Sequence, residues 1–220
     1  MKYPKMQTLW KRDENNKYVI MPGEYSKEEF RNILQWHVTE KIDGTNIRVF
    51  ITFMGDGSTE VRFGGRTEKA QIPTHLLDAL QDIFTEKNVK VLDGPDGATE
   101  FILFGEGYGP KIQKGGGLYR DNPGFILFDV WCGGWWLDRL SVEDIANKLG
   151  IKTVPTIGIC SVGEIIELVK EHHNSEEAEK EKVMEGVVAR SYPLMLFRDG
   201  TPIMFKLKCE DFDKLKRFTS

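Results

Sequence analysis

The chain has 220 residues, with 30 lysines and arginines against 34 aspartates and glutamates, a formal net charge of −4. A hydrophobic fraction of 40% and an aromatic fraction of 11% are enough for a packed core and exclude a disordered chain. No stretch approaches the roughly 18 consecutive apolar residues of a membrane span, and the charge balance decides no partner, because a basic groove can coexist with an acidic exterior.

The N-terminus, Met1-Lys2-Tyr3-Pro4-Lys5, lacks the apolar run of a signal peptide. Residues 36–42 read as a strand that ends in the turn Asp43-Gly44. Over 47–53, Ile47, Val49, Ile51 and Phe53 alternate onto one face, the period of a half-buried strand. Gly55-Asp56-Gly57-Ser58 then predicts a hairpin turn into Val61-Arg62-Phe63. Leu76, Leu77, Leu80, Ile83 and Phe84 carry helical spacing over 74–84, and 93–97 reads as a turn. The runs Phe101–Phe104 and Phe125–Trp131 are short enough for buried strands. Ser141-x-x-Asp144 and Ser161-x-x-Glu164 have the pattern of capping boxes that open helices. The charged run at 176–182 reads as a solvated loop or helix end. Strands over 183–190 and 203–208 precede a charged helix near 210–218. Turn-linked strands with helices outside predict an α+β fold of antiparallel sheets with flanking helices. No linker interrupts the pattern, so a single domain over 1–220 is expected.

Cys132, Cys160 and Cys209 form no Cys-x-x-Cys pair, against a disulfide framework or a thiolate zinc site. This suits a reduced, cytoplasmic location. Gly115-Gly116-Gly117 is followed by no Gly-Lys-Ser/Thr of a phosphate loop, and Pro110 breaks the dinucleotide pattern begun at Gly105. His172-His173 has no further ligand at metal-binding spacing and reads as a solvated helix end.

The segment Glu40-Lys41-Ile42-Asp43-Gly44-Thr45-Asn46-Ile47-Arg48 is the most informative. It is either a hairpin turn flanked by surface charges or a nucleophilic lysine held at a strand end. An amine attacks only in its unprotonated form, which desolvation or neighbouring cations favour; Arg48, Lys206 and Lys208 are the candidate cations. Downstream come Arg66-Thr67 after two glycines, Glu106 among glycines, Phe128-Asp129 in an apolar strand, Glu185-Gly186 opening Val187-Val188, and Lys206-x-Lys208 on one strand face. Each has a plain alternative: Phe128 as core, the lysines as a solvent face, Asp43 as a turn residue, Arg66 as a surface residue. Glu185 in an apolar run is costly unless paired or metal-bound.

Taken together and in order, Lys41-x-Asp43-Gly44, Arg66-Thr67, Gly105-Glu106-Gly107, Phe128-Asp129, Glu185-Gly186-Val187-Val188 and Lys206-x-Lys208 resemble the collinear motifs of the covalent nucleotidyltransferases, across about residues 38 to 208. Glu40–Asn46 and Gly109-Pro110-Lys111-Ile112-Gln113-Lys114 look most like the RNA ligase 2 branch of ATP-dependent polynucleotide ligases. DNA ligases usually carry arginine where this chain has Asn46.

The resemblance implies an ATP-grasp-like nucleotidyltransferase ligase domain and an ATP-dependent RNA ligase working through a lysyl-AMP intermediate. Lys41 would take AMP from ATP, pass it to a 5′-phosphate, and a 3′-OH would expel it. Lys206 and Lys208 would face the α-phosphate, Asn46 would act in strand joining, Glu40, Glu106, Phe128 and Glu185 would contact the nucleotide, and Arg66 would contact the nucleotide or the 5′-phosphate. Phe128 would stack on adenine and Glu106 would accept from a ribose hydroxyl. Residues 109–123 read separately as a flexible loop, either a plain surface loop or one over the triphosphate with Lys111 and Lys114 as candidate phosphate contacts. Glu185 and Asp43 would hold Mg²⁺ or Mn²⁺. The implied partner is RNA or DNA with 5′-phosphate and 3′-OH ends, bound by a monomer without a membrane. Only Cys209–Ser220 follow the last motif, so no C-terminal nucleic-acid-binding domain is expected here; the alternatives are a minimal ligase, a truncation, or an accessory protein in place of that domain. The rival readings are a DNA nick ligase and a nucleotide- or end-binding protein without ligase activity.

Overall fold

A computed structural model describes residues 1–92 and 100–219; the turn read at 93–97 lies outside the described residues. In chain order the elements are β1 (Gln7–Thr8), β2 (Trp10–Arg12), β3 (Ile20–Tyr25), α1 (Glu29–Asn32), β4 (Trp36–Glu40), β5 (Thr45–Phe53), β6 (Thr59–Gly65), α2 (Thr74–Ile83), α3 (Glu86–Val89), β7 (Glu100–Tyr108), β8 (Gly124–Cys132), β9 (Trp135–Trp136), α4 (Arg139–Leu149), β10 (Lys152–Thr153), β11 (Thr156–Cys160), α5 (Val162–Lys170), β12 (Gly186–Ser191), β13 (Met204–Lys208) and α6 (Cys209–Thr219). The fold is α+β, and strands pair mostly antiparallel. The chain packs as two compact units, an inserted one of Met1–Tyr3 and Asp43–Val154 and a split one of Pro4–Ile42 and Pro155–Ser220.

The inserted unit is built on the sheet β10-β8-β7-β5-β6, with β9 paired to β8. Ile47, Val49 and Ile51 are fully buried on one face of β5, as the alternation predicts. They pack with Leu103, Leu127 and Val130 against Leu76 and Leu80 of α2 and Val142, Ile145 and Leu149 of α4. Each such side chain, withdrawn from water, stabilises the unit by about 1.5–3 kcal/mol. The predicted cap at Ser141 is corrected. Asp138 caps α4, its carboxylate accepting from the Ser141 amide at 2.8 Å. Starting the helix earlier lets Arg139 pair with Glu143 one turn on, at 2.7 Å, and donate to the Val154 carbonyl at 2.8 Å.

The split unit carries the sheet β1-β13-β12-β4-β11 and the hairpin β2-β3. Trp36, Val38, Val187, Ala189, Phe205 and Leu207 form its core with Ile165 and Val169 of α5 and Phe212 of α6. The capping box at Ser161 forms as predicted: the Ser161 hydroxyl accepts from the Glu164 amide, and the Glu164 carboxylate accepts from the Ser161 amide at 2.7 Å. The run at 176–182 is a loop rather than a helix end.

His172 follows α5 with φ +55°. Its Nδ1 lies 2.8 Å from the Lys170 carbonyl and its Nε2 3.1 Å from Asp213 on α6. Both partners accept, so only the doubly protonated ring satisfies both. The Lys170 carbonyl first and Asp213 second push the imidazole above its usual range, against burial and Lys216. A raised folded-state value means a stabilisation fully present below the ordinary value of roughly 6.5 and lost as pH rises through the folded value. Thermal melts at a series of pH values from about 6 to about 8 should therefore show a small decline in the wild type that His172→Gln lacks; parallel curves would refute it.

Candidate active site

Three adjacent strands of the split unit bring three charged side chains together. β4 pairs β12 with Glu40 opposite Val187, and β12 pairs β13 with Gly186 opposite Lys208. The Lys41 amide extends the first ladder by donating to the Gly186 carbonyl at 2.9 Å, and the Cys209 amide extends the second by donating to Glu185 at 3.0 Å. Lys41, Glu185 and Lys208 thus emerge side by side at the strand ends. The Glu185 carboxylate takes Lys41 Nζ on Oε2 at 2.6 Å and Lys208 Nζ on Oε1 at 2.6 Å. The side chains are 23%, 15% and 24% exposed, so the triad is partly desolvated yet reachable by a ligand. Burial opposes the charge on Lys208, but Glu185, helped by Glu210, outweighs it and holds the ammonium above its usual range. Glu185 sits one residue before β12 rather than inside a strand, where its carboxylate can reach both lysines.

Gly186 makes this close approach possible. Its φ is +149°, and a Cβ there would run into the Leu207 carbonyl and the Lys208 Cα. Along β13, Phe205 and Leu207 are fully buried while Lys206 and Lys208 are half-buried on the opposite face, as period 2 requires.

Glu40 takes the other parity. It is 2% exposed on the face of β4 shared with Trp36 and Val38. Its carboxylate accepts from the Ser175 hydroxyl and from the Glu176 amide at 2.9 Å, anchoring the 175–178 loop. Burial pushes its carboxyl up, partly offset by these donors. A contact with adenine would have to share oxygens that the loop already engages.

The remaining predicted residues belong to the inserted unit. Asp43 leads into a bend at Gly44 rather than a hairpin turn, since β4 and β5 belong to different sheets, and this bend is pinned by two side chains. The Asp43 amide donates to the Tyr119 hydroxyl at 3.2 Å, and Gln113 Nε2 donates to the Gly44 carbonyl at 3.1 Å. A Cβ on Gly44 would strike the Gly107 carbonyl and the Glu106 side chain, so glycine lets the bend press against β7. Asn46 stands opposite Glu106 across β5 and β7. The Asn46 Oδ1 is buried with no hydrogen-bond partner among the described residues, which leaves its acceptor capacity unused within the chain. Phe128 falls in a β-bulge: Asp129 pairs with Phe104 and Leu127 with Gly105, which leaves Phe128 unopposed. Bulges re-aim side chains, and this ring is half-buried, edge-on to Tyr3 at 4.9 Å. Arg66 is exposed, directly after β6. Lys111 and Lys114 are exposed on the loop that Gln113 and Tyr119 tie to the Asp43-Gly44 bend. Arg48, one of the expected activating cations, is committed elsewhere: Nε donates to the Gly65 carbonyl at 2.7 Å and Nη1 to the Met1 carbonyl at 2.7 Å. Tyr119, Ser175 and the structural use of Arg48 carry no local signal in the sequence, because each acts on a residue far away along the chain.

Among the described residues, no three His, Cys, Asp or Glu side chains gather into a metal-binding cluster. A lone carboxylate such as Glu185 suits Mg²⁺ or Mn²⁺ arriving with phosphate oxygens and water, since Mg²⁺ is usually held by one or two carboxylates plus substrate phosphates. No described helix is long and apolar enough to cross a membrane.

No curated protein is significantly similar to the chain in sequence. Solved structures of the Naegleria gruberi RNA ligase share its fold. A variant of that ligase with ATP and Mn matches at a TM-score of 0.65 and 16% identity, covering 100% of this chain and 59% of that one. The complex with PPi matches at 0.64 and 17%, covering 99% and 58%. A variant with AMP and Mn matches at 0.62 and 16%, also covering 99% and 58%. The chain therefore spans less than two thirds of the solved chains it resembles. The family model described as RNA ligase matches residues 34–208, which include Lys41, Glu185 and Lys208. The chain belongs to the RNA ligase family.

Proposed function

We propose that this chain is the adenylyltransferase part of an ATP-dependent RNA ligase that works through a covalent lysyl-AMP intermediate. The reading rests above all on the Lys41–Glu185–Lys208 triad, with 2.6 Å contacts on both sides of one carboxylate. Family membership and the ATP- and Mn-bound forms of the Naegleria ligase support it.

In the first step, Lys41 Nζ attacks the α-phosphorus of ATP, the P–N bond forms, and the bond to pyrophosphate breaks. Glu185 Oε2, which already accepts from Nζ, is the acceptor within reach of the proton the amine must shed. Lys206 and Lys208 neutralise charge on the α-phosphate, which phosphoryl transfer needs more than covalent machinery. Glu106 accepts from a ribose hydroxyl, Phe128 stacks on the adenine, and Arg66 completes the nucleotide contacts, while Glu40, buried and held by Ser175 and Glu176, supports the strand that carries Lys41. Glu185 and Asp43 are the carboxylates that would hold Mg²⁺ or Mn²⁺, which supplies further charge neutralisation when bound. AMP then passes to a 5′-phosphate on RNA, and a 3′-OH attacks that end and expels AMP, with Asn46 acting at this stage. The chain works as a monomer in the cytoplasm, and an accessory protein or further domain supplies much of the grip on nucleic acid.

The test is incubation with α-labelled ATP and Mg²⁺ or Mn²⁺, then denaturing electrophoresis. A covalent label supports the reading, and its absence under both metals refutes it. Sealing of nicks that differ only in the 3′-OH-side sugar then separates an RNA from a DNA ligase. Asn46→Ala should leave labelling nearly intact and slow the sealing of pre-adenylylated ends by about ten- to a hundredfold, the worth of one hydrogen bond to a charged group. Equal losses in both assays would remove its late role.

A further inference from the structure

Arg48 is a fully buried cation, its side chain 1% exposed, in the middle of β5 opposite Gly64 of β6. Burying a guanidinium is expensive unless its donors are matched. Here they are matched in an uneven way. Nε donates to the Gly65 carbonyl at 2.7 Å, and Nη1 donates to the Met1 carbonyl at 2.7 Å and to Glu68 at 2.9 Å. The guanidinium also lies over the Phe50 ring at 5.3 Å. Gly65 and Glu68 bracket Arg66-Thr67, so one rigid group grips the chain immediately before and two residues after Arg66. Glu68 is 71% exposed, and this contact holds its carboxyl below the usual range. Arg66 itself is exposed and leaves the end of a strand, where nothing in the local sequence would fix its direction.

We propose that Arg48 is a positioning residue for Arg66, holding the 65–68 segment so that the Arg66 guanidinium meets phosphate in one orientation. The proposal rests on the reading of Arg66 as a nucleotide or 5′-phosphate contact and deepens it. Lysine could not replace Arg48, because a single ammonium lacks the planar fork that reaches a strand carbonyl, a terminal carbonyl and a carboxylate together.

Two measurements on the full chain test it. Limited trypsin digestion reads the segment directly, since Arg66 and Lys69 are exposed cleavage sites. Arg48→Lys should raise cutting at these sites by about tenfold, the effect of losing a buried charged hydrogen bond on local opening, and Glu68→Ala, a surface change, by about twofold to fivefold, the worth of a solvent-screened pair. Circular dichroism should stay unchanged for Glu68→Ala, so the comparison survives even if Arg48→Lys fails to fold. The second measurement is a double-mutant cycle on the labelling and sealing steps. Arg66→Ala identifies which step and which parameter, KM or rate, depends on Arg66. Glu68→Ala should lower that same parameter about twofold to fivefold in the wild type and have no further effect in the Arg66→Ala background. Unchanged cutting overturns the proposal, and so does an additive cycle, which would make the tie merely structural. A wild type that takes no label sinks the enzymatic reading separately, and the cutting comparison then decides alone whether Arg48 holds the segment.

Discussion

Arginine in place of Lys41 is expected to reduce covalent nucleotide capture to background while leaving the fold intact. The guanidinium keeps the positive charge and can still meet the Glu185 carboxylate that Lys41 Nζ contacts at 2.6 Å. It cannot be deprotonated in a protein, so it offers no free amine to attack phosphorus. Charge and nucleophilicity are thereby separated. The comparison needs the labelling assay beside a thermal melt. Loss of label with an unchanged melt fits a nucleophile, whereas a variant that labels as the wild type does would show that another residue carries the nucleotide. Lys208→Ala should behave differently: it removes one cation, leaves the nucleophile in place, and slows labelling without abolishing it.

Gly186→Ala should be the most destabilising single change near the site. At φ +149° an alanine is strained, and its Cβ would collide with the Leu207 carbonyl and the Lys208 Cα, both in the neighbouring strand. Backbone strain and a backbone clash together place the cost at about 3 kcal/mol or more. For a chain of this size that lowers the melting temperature by roughly 6–12 °C. Gly23→Ala is the control. Its φ is +91° with no atom within 4 Å of the added Cβ, so it carries strain alone. If the two variants melt together, the close approach of β12 and β13 at this point is not what requires glycine.

Local patterns succeed in this chain where the physics is itself local. The alternation Ile47, Val49, Ile51 is a property of one strand, and all three are fully buried as expected. Lys206 and Lys208 share a face because side chains two apart on a strand must, and the Ser161–Glu164 box closes within one helical turn. Where two local signals competed, the pattern misled: Ser141 looked like a cap, but Asp138 lay upstream and the Arg139–Glu143 pair drew residue 139 into the helix. The two- and three-residue strands β1 and β2 escape the pattern, since they have no period of their own and form only by pairing, and in the six-residue β3 the Pro22-Gly23 pair breaks the alternation.

Six short motifs in order, from Lys41-x-Asp43-Gly44 to Lys206-x-Lys208, carry the resemblance to a nucleotidyltransferase. The meeting of Lys41 and Lys208 on the Glu185 carboxylate was decided by the pairing of β4, β12 and β13, which joins residues more than 140 positions apart. The same holds for Glu40, whose neighbours in sequence are site residues but whose strand parity turns it to the core, and for Arg48, which reads as a spare cation and is spent on the Gly65, Glu68 and Met1 contacts. Sequence by itself determined which chemistries the side chains can offer and which strands have a buried face. Tertiary structure alone decided which charges share a partner, because an ion pair depends on distance in space, and strand pairing sets that distance without reference to separation along the chain.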